Sequence, residues 1–181
     1  MWNQDLYQQT VRFATEAHKG QIVPGTDLPY LLHLSNVCME VMAALFHESK
    51  GIDANLCIQC ALLHDTIEDT AVTYQQLKER FSEQVAEGVA ALTKNNALPK
   101  TESMRDSLER INAIGREIGM VKLADRITNL QAPPVHWSVE KMKAYQSEAR
   151  SIHAALKTFH KYLADRLAIK IEAYNSFIVA Q

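Results

Sequence analysis

In Ala61-Leu62-Leu63-His64-Asp65-Thr66-Ile67-Glu68-Asp69-Thr70 an apolar run ends in one imidazole and three carboxylates. On a continuous helix His64 and Glu68 stand four apart, as do Asp65 and Asp69, and Asp65 and Glu68 stand three apart. That spacing gathers all four within about one turn. Carboxylates crowded this closely oppose each other's ionisation unless a positive charge sits among them. Imidazole and carboxylate together suit a divalent cation such as Mn, Zn or Fe, so metal binding is the first chemistry the cluster suggests. An acidic helix end running into a loop is the structural alternative for the same residues.

A metal needs ligands from more than one place in the chain, and two candidates stand out. His33 lies in Pro29-Tyr30-Leu31-Leu32-His33-Leu34, just inside a helix that follows a turn-rich loop. Asp125 lies in Val121-Lys122-Leu123-Ala124-Asp125-Arg126, an apolar stretch where a lone carboxylate is costly unless paired. Singly, a histidine near a helix start serves equally as a cap or packing residue. Together with His64-Asp65 the candidates form an H…HD…D series. The tetrapeptide Leu-Ala-Asp-Arg recurs at 123–126 and 163–166, but only Asp125 is followed one turn later by a polar partner, Asn129; Asp165 is followed by Ile169. Asp125 therefore reads as a site residue and Asp165 as a solvated or ion-paired surface residue.

Helices must position these groups. Apolar residues recur at helical spacing almost throughout, and no sustained period-two run is bounded by turn signals, so the fold class expected is all-α. Helices are expected over 3–19, 30–47, 53–68, 73–80, 82–93, 102–117, 119–131, 138–156 and 158–178, a bundle of about eight to nine helices in one domain spanning 1–181. Gly and Pro concentrate between them, at Gly20 to Pro29, Gly51, Pro99, Gly115 to Gly119 and Pro133-Pro134. Thr73 to Gln76 fits a capping box, and Asp53 an N-cap.

With 181 residues the chain is long enough for a sizeable core. Hydrophobic residues at 47% and charged residues at 22% are ordinary globular values, and a net charge of −2 gives no footprint for a nucleic-acid backbone. No apolar stretch is long enough to span a membrane, and Met1-Trp2-Asn3-Gln4-Asp5 lacks the basic and apolar regions of a signal peptide. The expected location is the cytoplasm. Cys57 and Cys60 form a CxxC without a second pair, inside an apolar run, and with Cys38 read as core residues rather than redox or metal ligands.

The strings LLHDTIEDT and VKLADRITNL, with Ala17-His18-Lys19-Gly20-Gln21, Leu28 to His33, Leu98-Pro99-Lys100, Trp137-Ser138 and Tyr145, resemble the HD superfamily of metal-dependent phosphohydrolases. Within it, the likeness is to the hydrolase domains of Rel/SpoT enzymes and to small alarmone hydrolases, and it covers most of the chain. The resemblance implies His33, His64, Asp65 and Asp125 as metal ligands, with Mn2+ the expected ion. It implies Glu68 and Asp69 as the acidic pair that positions and activates water. Asn129 matches a nucleoside-contacting position, Lys100 and Tyr145 match phosphate-proximal ones, and Lys141 adds charge nearby. The implied reaction is removal of pyrophosphate from the ribose 3′ position of ppGpp or pppGpp, with a small-molecule nucleotide as partner and neither nucleic acid nor membrane. Without the resemblance, Lys100 and Lys141 read equally as solvated lysines and Tyr145 as a core cap. His18 reads as structural, and His47, His136, His153 and His160 as surface or satisfied histidines.

The chain departs from the family at three places. Val23-Pro24 stands where a basic pair is common, Gln131-Ala132 where Arg and Thr are common, and Leu34 where proline usually follows the first histidine. Neither valine nor proline can stack and fork to phosphate as a guanidinium does. Another phosphorylated nucleotide, including an NADPH-like 2′-phosphate, is thus an alternative substrate, and a non-catalytic nucleotide-binding or sensor module is the alternative of another class.

Overall fold

The computed structural model describes residues 1–179, without the side chains of residues 100 and 101. Its helices are α1 (Gln4–Ala17), α2 (Leu31–His47), α3 (Ala54–Leu63), α4 (Thr66–Asp69), α5 (Tyr74–Arg80) and α6 (Glu83–Leu92). After them come α7 (Lys100–Ile114), α8 (Arg116–Asn129), α9 (Val139–Leu156), α10 (Lys161–Ala173) and α11 (Asn175–Val179). Of these eleven, α4 and α11 are single turns of four and five residues, which leaves nine longer helices. The described residues contain no strand beyond one isolated antiparallel bridge, Ile22 to Pro29, so the all-α expectation holds. None of these helices is long and apolar enough to cross a membrane.

Local chemistry sets the ends. Asn3, Asp53, Ser82 and Ser138 each accept backbone N–H groups of the first turn that follows, and Thr73 and Gln76 form the reciprocal capping box. Several boundaries differ from expectation. The helix expected over 53–68 stops at Leu63, the one expected over 158–178 is divided at Tyr174, and α8 begins at Arg116 instead of 119. The break between α7 and α8 takes Gly115 alone, at φ 126° and ψ −158°, a conformation that disfavours a side chain. Gly119 is not part of the break. It sits inside α8 because Phe159 crosses there: a Cβ on Gly119 would stand 2.2 Å from Cδ2 of that ring and 2.9 Å from its Cγ.

The core centres on α2, α3 and α8, which pack against one another; α1 covers α3, and α9 and α10 cover α8. Every residue from Ile118 to Thr128 is buried, and so is all of α3 except Asn55 and Leu56. A helix buried all round is expected to be apolar all round. Yet α8 buries Lys122, Asp125, Arg126 and Thr128, and such groups are tolerable only where something answers them. The loop before α2 is closed by Val23 N–H to the Leu28 carbonyl and Tyr30 N–H to the Gln21 carbonyl, and at Gly25 it faces Pro134. It thereby stands opposite the segment between α8 and α9.

Cys38, Cys57 and Cys60 are buried, with the Cys57 and Cys60 thiols against the carbonyls of Glu117 and Val85. Burial pushes the Cys38 thiol up to about 12, so it is not a reactive thiolate at neutral pH.

Gly119→Ala should lower stability even though alanine is the better helix former by about 1 kcal/mol. The inserted methyl meets the root of an aromatic ring, and overpacking costs about 1–3 kcal/mol. Urea unfolding should show a lower midpoint; an unchanged or higher one would mean that Phe159 moves aside freely.

Candidate metal centre

The centre is assembled by the three core helices. His33 is in the first turn of α2, Asp125 is on the fully buried part of α8, and His64 and Asp65 occupy the break between α3 and α4. That break corrects the regular-helix geometry expected for 53–68. Neighbouring side chains on a continuous helix diverge by about 100°, so an adjacent His and Asp could not face one point. Here Asp65 takes φ −99° and ψ −1°, the sparsely allowed bridge region, and the chain turns. The Thr66 hydroxyl donates to the Leu63 carbonyl across the turn. Both His64 and Asp65 then reach the same place.

His64 Nε2 lies 2.9 Å from Asp65 Oδ2, 3.8 Å from Asp125 Oδ1 and 3.2 Å from His33 Nε2. His33 Nε2 lies 3.5 Å from Asp65 Oδ2 and 3.6 Å from Asp125 Oδ1. Ligand atoms about 2.0–2.2 Å from one ion stand about 2.8–3.6 Å apart along the edges of a tetrahedron or octahedron, so these separations are close to a coordination shell. His33, His64 and Asp125 form a buried set with all three ligand atoms within 4.8 Å of one another. The tautomer agrees. Nδ1 of His64 is 2.9 Å from the Ala61 carbonyl, which places its proton there and turns the Nε2 lone pair inward. Two imidazoles and two carboxylates are a donor set suited to a divalent cation.

In the metal-free protein a protonated His64 adds positive charge to that of Lys122. Burial, the largest influence, disfavours its protonation, but Asp65, then Asp125 and the Ala61 carbonyl, outweigh burial and raise the imidazole to about 9. Burial likewise opposes ionisation of Asp65, yet His64, His33 and Tyr30 hold it well below the usual carboxylate range. For Asp125 burial is overcome first by Lys122 and then by the histidines, and its pKa is lowered.

Neighbours fix both carboxylates. The Tyr30 hydroxyl donates to Asp65 Oδ2 at 2.6 Å, and burial followed by the Asp65 charge raises its pKa, so it stays a donor. Lys122 Nζ donates to Asp125 Oδ2 at 3.1 Å, and Asn129 Nδ2 donates to Asp125 Oδ1. His18 stacks on Tyr30 with ring centroids 4.9 Å apart, which agrees with its structural reading. Glu68 and Asp69 are not in the cluster's hydrogen-bond network but flank it on α4. Glu68 accepts the Lys94 backbone N–H at 2.9 Å and lies 3.8 Å from its ammonium, while Asp69 accepts from Gln21 at 3.4 Å. The Lys100 side chain lies outside the described residues.

A cavity of about 540 Å³ opens beside the cluster, sharing His33 and Asn129 with it. Val23, Pro24 and Leu32 on one side and Pro133, Pro134, Trp137 and Tyr145 on the other form its walls. Tyr145 thus lines the cavity, its ring edge-on to Trp137 at 5.1 Å, and Lys141 lies over Trp137 with its ammonium 4.2 Å from the ring centroid. Sequence reasoning missed Tyr30, Lys122, Thr128 and Tyr174. Lys122 could have been found, since a buried Lys three residues before an Asp on one helix is a paired arrangement. Asp165, by contrast, pairs with exposed Lys161 at 2.6 Å on the surface, as expected.

The family model described as HD domain matches residues 10–158. The guanosine-3′,5′-bis(diphosphate) 3′-pyrophosphohydrolase MESH1 of Danio rerio is 32% identical over 164 residues, 88% of each chain. A guanosine-3′,5′-bis(diphosphate) 3′-pyrophosphohydrolase of Aquifex aeolicus is 36% identical over 152 residues, 82% of this chain and 20% of that protein. Among solved structures, a metazoan ortholog of SpoT described as hydrolysing ppGpp superposes with a TM-score of 0.80 at 24% identity, covering 96% of this chain and 97% of that one. This last likeness speaks to the fold.

The raised His64 pKa has a stability consequence with a definite sign. A group raised on folding contributes stability that is complete below its unfolded value of about 6.5 and is lost as pH rises through about 9. Chelator-treated protein should therefore melt at a lower temperature at pH 9.5 than at pH 6.5, and His64→Gln should remove this contribution. Metal uptake at pH 7.5 should release a proton, because a ligating imidazole is neutral. A pH-dependent fall of the same size in the variant would show that another group is responsible.

Proposed function

Because the chain belongs to the HD domain family, we propose that it is a metal-dependent phosphohydrolase that removes the 3′-pyrophosphate of guanosine tetra- and pentaphosphate. The observation that carries this reading is the meeting of His33, His64 and Asp125, with ligand atoms within 4.8 Å of one another and Asp65 at 3.5 and 2.9 Å from the two imidazoles, at the side of a nucleotide-sized cavity. Support also comes from the two relatives at 32% and 36% identity, whose names state that activity.

In this reading His33, His64, Asp65 and Asp125 hold one divalent ion; the mixed nitrogen and oxygen donors suit Mn, Zn or Fe, and Mn2+ is assigned on the resemblance. A bound ion supplies a water of lowered pKa and a Lewis-acid contact for a phosphate oxygen. The chain's residues do the rest. Tyr30, Lys122 and Asn129 hold the carboxylates in place, as hydrogen-bonded supporting groups do in metal sites. Glu68 and Asp69 stand on the turn that follows Asp65, and one of them takes the proton from the attacking water. Water oxygen bonds to the phosphorus on the ribose side, the bond from that phosphorus to O3′ breaks, and the proton passes to O3′. Asn129 and Tyr145 contact the nucleotide on the cavity side. Lys141 contributes charge at the rim, and Lys100 is assigned to the phosphate side on the resemblance alone.

The test is release of pyrophosphate from ppGpp by protein stripped of metal and reloaded with Mn2+. Asp125→Ala should lower the rate more than about 100-fold, beyond the usual effect of losing a supporting group. Glu68→Gln should lower kcat by about 100-fold or more at an unchanged melting temperature. Binding of ppGpp with no pyrophosphate released in Mn2+, Mg2+, Co2+ or Zn2+ would overturn the enzymatic reading in favour of a binding module.

A further inference from the structure

The described lining of the cavity beside the metal centre holds no Lys, Arg, Asp or Glu. Apart from His33, its described lining is Val23, Pro24, Thr26, Leu32 and Asn36 from one side and residues 128–134 other than Leu130, with Trp137, Tyr145 and Tyr174, from the other. Three of these are prolines, which have no backbone N–H to offer an anion in place of a missing cation. A diphosphate moved from water into such surroundings would lose hydration that nothing there replaces.

Among the described side chains two cations adjoin the lining, and neither answers this need. Arg126 is only 3% exposed; its guanidinium lies 4.4 Å behind the Tyr145 ring centroid and is paired with Glu148. Lys141 is exposed and lies over the Trp137 ring at the rim. What the cavity does offer is neutral: Asn36, Asn129 and Gln131 line it beside flat apolar walls, which suit a base and ribose.

Resting on the phosphohydrolase reading above, we infer that this cavity seats the neutral nucleoside half of a 3′-phosphorylated nucleotide and makes no favourable use of phosphate at the ribose 5′ position. All the charge the site recognises then belongs to the leaving pyrophosphate, on the side of the metal centre and of Lys94. Nucleotides whose 5′ end is a free hydroxyl become substrates alongside those with a 5′-diphosphate.

The experiment compares guanosine 3′-diphosphate bearing a 5′-hydroxyl with ppGpp, on Mn2+-loaded protein, reading kcat/KM from pyrophosphate release. The expected preference for the 5′-diphosphate is at most about fivefold, the limit of a screened contact with an exposed lysine such as Lys141. A preference above tenfold would overturn the inference and leave the phosphohydrolase reading standing. No pyrophosphate from either nucleotide would overturn both.

Discussion

Two carboxylates and two imidazoles pressed into the middle of a helical bundle can coexist only around a positive charge, and the packing of α2, α3 and α8 depends on how that charge is supplied. When no cation is bound, the two His Nε2 atoms at 3.2 Å and the 2.9 Å contact from His64 to Asp65 require a proton on one ring. With a cation, the same lone pairs become ligands. The interaction is strong because the groups are buried, and for the same reason a missing partner would be expensive. The three innermost helices are therefore held to one relative arrangement by the electrostatics of their contact as well as by apolar packing.

Helix α8 shows how this constraint spreads. Its buried stretch carries polar side chains that face two directions, each answered by a different neighbour. Lys122 and Asn129 close on Asp125 toward the metal centre, whereas Arg126 turns toward α9, where Glu148 and the face of Tyr145 receive it. Tyr145 in turn walls the cavity. One helix thus sets the position of a candidate ligand, of the groups that hold it and of one cavity wall. Gly119 is part of the same arrangement, since the Phe159 ring pressed against it sets how closely the start of α10 approaches α8.

That donors from three distant segments would meet was legible in the sequence, because His33, His64-Asp65 and Asp125 are costly in apolar helices unless they answer one another. How they meet was not. Leu63-His64-Asp65-Thr66-Ile67 contains no Gly or Pro, so local signals continued the helix, and only the packed structure shows the turn at Asp65 that lets adjacent residues converge. Gly119 misled in the opposite sense: paired with Gly115 it read as a break, whereas its role is close helix approach. Tyr30, one hydrogen bond from Asp65 but 35 residues away, and Tyr174, which reaches the cavity from the far end of the chain, have no local pattern that separates them from core tyrosines. Helix class, the number of longer helices and the caps at Asp53 and Thr73 depend on short-range chemistry and were readable for that reason.

The replacement of a basic pair by Val23-Pro24 changes meaning once the loop is placed. In the sequence it is a loss of two recognition groups. In the structure Val23 and Pro24 form one wall of the cavity and face, across it, a segment containing Pro133 and Pro134. Both walls are poor in charge and in N–H donors, so a cation restored at one position would still face apolar surface opposite. The departure is therefore a property of the whole cavity. On the proposed reading, the reaction type and the substrate range follow from separate elements: the first from the turn at His64-Asp65 against α2 and α8, the second from the two proline-bearing loops that wall the cavity.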